Sequence, residues 1–286
     1  MNYSEQAITF SCAEEELLGI LALPEQPEAT GVLVLVGGPQ YRVGSHRQFL
    51  LLSRALAGIG YPTMRFDYRG MGDSTGDQRS FENANEDISK AADTFYANCP
   101  QLDHIVLWGL CDAASASLLY WDTKLDTRIS GLVLVNPWVR SETTLARTQI
   151  KHYYGQRLLQ LEFWGKLLTG KVGLNRAIWG FLDSVRNACK ANAENTKDQH
   201  ALFQKRMARG LGAFSGPALL ILSGNDYTAK EFMEHCKGDS DWLNVLKDQK
   251  ITMAEVGEAD HTFSSEQWRG GVEILTIEWL KRCGVR

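Results

Sequence analysis

Four short apolar runs, Gly31–Val36, Ile105–Trp108, Leu132–Val135 and Pro217–Leu222, are separated by stretches long enough to hold a helix. A strand that is apolar at successive positions must be covered on both faces, the condition of a parallel sheet flanked by helices. Between the runs, a helical pattern (Phe49, Leu52, Leu56) extends from Ser45 towards Gly60, a second covers about 82 to 97, and a third follows Cys111. Thr63–Phe66 and Ile251–Val256 read as further strands, Ile8–Cys12 and Leu17–Leu23 as a hairpin, and Glu266–Arg282 as a closing helix. Strand and helix alternate as in successive βαβ units, so an α/β fold with a mostly parallel central sheet is expected.

The alternation breaks between Ser141 and Gly212, where aromatics, Arg, Lys, Gln and Asn replace any continuous apolar strand. The expected organisation is a core built from 1–140 and 213–286, with 141–212 as a helical cap in which His152, Tyr153 and Tyr154 are candidates to line a pocket, against the plainer reading that aromatics at helical spacing serve packing. An insertion near the carboxyl ends of parallel strands roofs the crevice where such sheets bind ligands.

With 30 basic and 34 acidic side chains among 286 residues, the chain carries a net charge of −4 and no broad basic surface for nucleic acid. Its first residues lack a basic segment followed by an apolar one, and no apolar run approaches the roughly 20 residues of a membrane helix. A cytoplasmic protein without a membrane span is expected. The cysteines (Cys12, Cys99, Cys111, Cys189, Cys236, Cys283) have neither metal-ligand spacing nor the density of a disulfide scaffold, so neither a metal nor a cofactor is expected.

Cys111 is the residue with the most chemical promise. In Leu107-Trp108-Gly109-Leu110-Cys111-Asp112-Ala113-Ala114-Ser115 an apolar strand runs through one sharp turn into a helix, with small residues that let the two pack closely. A thiol there sits at a helix N-terminus, where backbone N–H groups and the macrodipole favour the thiolate. The same segment also suits a buried, inert cysteine. Two further residues follow later strands: Asp226 in Ser223-Gly224-Asn225-Asp226, and His261 in Glu258-Ala259-Asp260-His261. Singly, these fit a capping aspartate and a loop histidine. Together, the order nucleophile, acid, histidine, each just past a strand end, is that of a hydrolytic triad.

These residues resemble the α/β-hydrolase superfamily over nearly the whole chain. Asp67-Tyr68-Arg69-Gly70-Met71-Gly72-Asp73-Ser74 is similar to the D-x-R-G-x-G-x-S loop of many members, and Gly37-Gly38-Pro39 stands where an H-G oxyanion turn is common. More narrowly, Val36–Phe49, Gly109–Ser115 and Ala259–Phe263 resemble hydrolase 1 of the exosortase A-associated group, which implies a bacterial exopolysaccharide setting. Cysteine replaces the usual serine, and Pro39 has no N–H to donate. The expected oxyanion donors are the N–H of Asp112 and, second, that of Gly38 or Gln40. Arg42 and His46 are candidates for steering an anionic substrate, against the plainer reading of a solvated loop.

The resulting expectation is hydrolysis of a thioester or activated ester through an acyl-enzyme on Cys111, with His261 as base and acid and Asp226 fixing its tautomer. The acyl substrate is a small molecule, free or linked to a carrier or carbohydrate. An acyltransferase using the same triad is one alternative, and a non-catalytic binding protein that keeps the fold is another.

Overall fold

A computed structural model describes residues 2–38, 40–139 and 197–283, with side chains in the last segment described from 203 onwards. The order begins with β1 (Tyr3–Cys12), β2 (Glu15–Pro24), β3 (Thr30–Leu35), α1 (Gln48–Gly58), β4 (Thr63–Phe66), α2 (Asn85–Asn98), β5 (His104–Leu110), α3 (Asp112–Lys124) and β6 (Ile129–Val135). After 140–196 come α4 (Lys197–Ala213), β7 (Ala218–Ser223), α5 (Tyr227–Gly238), α6 (Ser240–Val245), β8 (Ile251–Val256) and α7 (Glu266–Cys283). The eight strands form one sheet in the order β1-β2-β4-β3-β5-β6-β7-β8. β1 is antiparallel to β2 and β2 to β4, and every other pairing is parallel. This is the mostly parallel α/β sheet expected from the apolar runs.

Those runs are double-sided in a literal sense. Leu33, Leu35, Ile105, Leu107, Leu132, Leu134 and Leu220 point into one cluster with α2, α3 and α4, while Val32, Val34, Val106, Trp108, Val133 and Ile221 point into another with α1 and α7. Successive residues of one strand thus serve different cores. On the second face, Phe49 of α1 meets Trp108 edge-on at 5.7 Å, and the Trp108 indole donates to Thr276 of α7 at 3.3 Å.

Strand order also creates the crevice. The chain leaves β3 for β4 on one side and returns through α2 to β5 on the other, so the segments after β3 and β5 diverge above neighbouring strands. Gly37–Gly38 and Cys111 therefore end up side by side.

Two expected helices begin late. The first starts at Gln48 because Ser45–Arg47 forms a 3₁₀ turn in which His46 (φ 54°) and Arg47 (φ 62°) are left-handed, a conformation an α-helix does not continue. The second starts at Asn85, after a similar turn at Phe81–Asn83. Helices α5 and α6 were not anticipated, although each opens on a capping aspartate: Asp226 accepts from the N–H groups of Thr228 and Ala229, and Asp239 from those of Asp241 and Trp242.

Most of the expected cap, 140–196 with His152, Tyr153 and Tyr154, lies outside the described residues. Its last part, α4, lies along α3. A Cβ on Gly210 would come within 2.5 Å of the Leu118 carbonyl oxygen, so the helices touch backbone to backbone there. Arg206 and Arg209 both pair with Asp122 of α3, and the Gln204 amide donates to the carbonyl of Val139, just before residue 140. Among the described residues no helix is long and apolar enough to cross a membrane.

Candidate active site

β5 ends in a turn only a small residue can make. A Cβ on Gly109 would stand 2.6 Å from the carbonyl of Ala113, so a glycine lets α3 fold back against the strand that precedes it. Cys111 pivots between them at φ 64°, ψ −124°, outside the regions open to ordinary side chains. Such a conformation costs on the order of 1–3 kcal/mol and persists because its surroundings fix it. Here the Cys111 N–H donates to Val135 of β6 at 2.8 Å, and its carbonyl receives the N–H groups of Ala114 and Trp138 at 3.1 and 3.3 Å. The thiol is partly exposed, whereas Cys12, Cys99 and Cys236 are buried.

Asp226 is the N-cap of α5 and His261 follows β8. The His261 Nδ1 and the Asp226 Oδ2 lie 2.8 Å apart, 35 positions distant in sequence. Burial opposes the charged imidazole, yet hydrogen bonds and charge interactions with Asp226 and the Cys111 side chain override it and raise the His261 pKa to about 10. The structure thus brings all three expected residues together, with the histidine between acid and thiol. Its loop is braced by Asp260, whose carboxylate accepts from the Thr262 and Ser264 N–H groups at 3.0 and 3.1 Å. A second brace crosses strand ends. The Asn136 amide oxygen accepts from the Ser223 N–H and its nitrogen donates to the Ser223 hydroxyl, both at 2.8 Å, and that hydroxyl donates to the Asp260 carbonyl at 3.1 Å.

The oxyanion side departs from expectation. Gly38 N–H donates to the Asp112 carboxylate, 2.8 Å from Oδ1 and 3.0 Å from Oδ2, and Gln40 N–H donates to the Gly38 carbonyl at 2.9 Å. Both expected second donors are therefore engaged within the chain. A Cβ on Gly37 would fall 2.4 Å from Asp112 Oδ1, so a glycine admits the carboxylate at that point. Burial raises the Asp112 pKa, against the pull of the Gly38, Ala113 and Asp112 N–H groups. Asp112 thus supplies a backbone donor and, with its own side chain, fills the place that donor faces.

Arg42 is also committed elsewhere. Its N–H and guanidinium bind the fully buried Asp67, and the guanidinium reaches Asp73 at 2.8 Å, because a carboxylate without solvent needs a cationic partner. That makes Arg42 a clamp between two loops rather than a free steering charge. His46 is exposed on its turn and shares no hydrogen bond with Cys111, Asp226 or His261. Among the described residues no group of three or more His, Cys, Asp or Glu side chains is arranged to hold a metal ion.

Sequence reasoning missed Asn136, Ser223 and Asp260. Asn136-Pro137 is a turn signal at a strand end, and Asp260 preceding Thr262 and Ser264 is an Asx-turn pattern, so local signals existed.

Solved structures share this architecture. The Pyrococcus furiosus esterase Pf2001 superposes with a TM-score of 0.66 at 15% identity, over 98% of this chain and 92% of that one. Est1E from Butyrivibrio proteoclasticus, solved with ferulic acid bound, gives 0.64 at 14% over 98% and 100%, and a dienelactone hydrolase from Anabaena variabilis gives 0.61 at 16% over 98% of each. At such identities the likeness is one of fold. No curated protein matches the chain in sequence. The family model described as serine aminopeptidase, S33, matches residues 27–262, from before β3 to just past His261. With six of the eight strands, the elbow and the loop order all falling inside that match, the chain belongs to the serine aminopeptidase S33 family of the α/β-hydrolase superfamily.

Proposed function

We propose that the protein hydrolyses a thioester or activated ester through a covalent thioester on Cys111. The observation that carries this reading is the position of His261, bonded to Asp226 at 2.8 Å on one side and hydrogen-bonded to the Cys111 side chain on the other. A thiol that can pass its proton to an adjacent imidazole becomes a nucleophile at the moment of attack. Its sulfur adds to the acyl carbon and the carbonyl electrons move to oxygen, opposite the N–H of Asp112. The oxyanion then collapses, the bond to the leaving group breaks, and His261 gives that group its proton. In the second half, His261 takes a proton from water as the water attacks the thioester, and the carboxylic acid departs from sulfur. Asp226 holds the imidazole in the required tautomer throughout.

Sulfur sets the substrate class. From the tetrahedral intermediate of an alkyl ester, the thiolate leaves more readily than the alkoxide and the reaction falls back, whereas a thioester or aryl ester has no such handicap. The resemblance to exosortase A-associated hydrolases supports an exopolysaccharide setting in the cytoplasm, with the acyl group on a carrier or carbohydrate. In this reading 141–212 covers the crevice above the core formed by 1–140 and 213–286.

Intact-mass spectrometry after mixing with p-nitrophenyl acetate and with an acyl thioester tests the proposal. A transient acyl mass on Cys111 is expected in the wild type and none in Cys111→Ala, while Cys111→Ser, an alcohol far more dependent on its base, loses thioester turnover steeply without unfolding. An acyl group mapped to another residue, or turnover unchanged in Cys111→Ala, overturns it.

A further inference from the structure

We propose that the Asp112 carboxylate is a stopper in the oxyanion cradle, and that Tyr68 is the positioning residue that draws it out when substrate binds. The inference rests on the Cys111 reading above. Two independent observations carry it. First, the Gly38 N–H, which faces the elbow across the β3–β5 crevice, is bonded to both oxygens of Asp112. An oxyanion formed on Cys111 needs that ground, and a carboxylate is itself an anion, so substrate and side chain compete for one donor set. Second, the Tyr68 hydroxyl is buried and finds no hydrogen-bond partner among the described residues. A buried hydroxyl without a partner carries a cost of about 1–3 kcal/mol, which calls for an explanation.

The two meet in one recess. Tyr68, Gly38 and Asp112 line it together with Val36, Met71 and Ala84. Its other carboxylate, Asp87, is bound by the Arg69 N–H and guanidinium and by the Cys12 thiol. That leaves the Asp112 carboxylate, on its one-carbon stem, as the recess acceptor that a change of rotamer would offer to the hydroxyl. The Tyr68 hydroxyl already feels the Asp112 charge, which, after burial, is the largest cause holding its pKa well above the ordinary tyrosine value, so it remains a donor. In the resting arrangement Gly38 holds the carboxylate. In the open one Tyr68 holds it, and the N–H groups of Gly38 and Asp112 face the substrate carbonyl.

The test is a double-mutant cycle on the rate of Cys111 acylation by p-nitrophenyl acetate, read by the p-nitrophenolate burst and by intact mass. Tyr68→Phe removes a hydroxyl that has no resting partner, so its melting temperature should not fall, yet acylation should slow about tenfold because the stopper loses its alternative seat. Asp112→Ala keeps the backbone donor and removes the stopper, so acylation should quicken. In that background Tyr68→Phe should change the rate by less than about twofold, a rescue that a merely structural role of Tyr68 would not produce. Equal slowing by Tyr68→Phe in both backgrounds, or none in the wild type, overturns the stopper while leaving the nucleophile in place. Absence of any acyl mass on Cys111 in all four proteins overturns the nucleophile reading, and the stopper with it.

Discussion

At the scale of the residue, Cys111 and His261 are both held away from their relaxed states, one in conformation and one in charge. A left-handed cysteine with ψ near −124° should be relieved by glycine, so Cys111→Gly is expected to be more stable than Cys111→Ala by about 1 kcal/mol in urea unfolding. The imidazole supplies a pH signature. Its folded pKa of about 10 lies above the ordinary 6.5, so the stability it adds is complete below about pH 6.5 and is lost as pH rises through 10. Asp226→Asn keeps a capping acceptor for α5 but removes the charge that holds the proton. The gap in melting temperature between wild type and this variant should be widest near pH 6 and narrow steadily towards pH 10. A gap independent of pH would show that the carboxylate acts on the helix alone.

At the scale of the element, the site depends on strand ends being registered to one another. Asn136, buried at φ 45° after β6, bonds Ser223 at the end of β7, which bonds the carbonyl of Asp260 after β8. Asn136→Ala leaves the buried Ser223 N–H without its acceptor, for a loss of about 2 kcal/mol by chemical denaturation. Turnover should fall with it, since the loop that carries His261 is no longer tied to the elbow; a variant that is destabilised yet fully active would exclude that coupling. Interactions of this kind explain the limits of sequence reading. The placement of Cys111 and Asp226 just past strand ends is legible because an apolar run marks each strand, whereas His261 follows the less apolar Ile251–Val256. The partners of Gly38 and Arg42 are not legible, since a backbone donor and a surface-looking arginine acquire buried carboxylate partners, Asp112 and Asp67, only when β3, β4 and β5 lie side by side.

At the scale of the whole molecule, the doubly covered sheet was readable from four apolar runs because a strand such as β3 supplies Leu33 to one core and Val34 to the other. Helix α6, six residues long, is too short to show a full apolar repeat, and α5 is as amphipathic as α2 but less apolar than α1. The contact between Gln204 and Val139 has a different kind of consequence. The chain departs from the sheet after Val139 and comes back along α3, where Gln204 binds the very carbonyl it left and Gly210 seats the returning helix against Leu118. Exit and re-entry are thus neighbours, fastened by residues that flank 140–196 on either side. Replacing 140–196 with a short glycine–serine linker should therefore give a protein that still unfolds in one cooperative step, whatever becomes of its catalysis. Such a scaffold is open to exchange at one port, where the inserted sequence can be replaced without disturbing the sheet beneath.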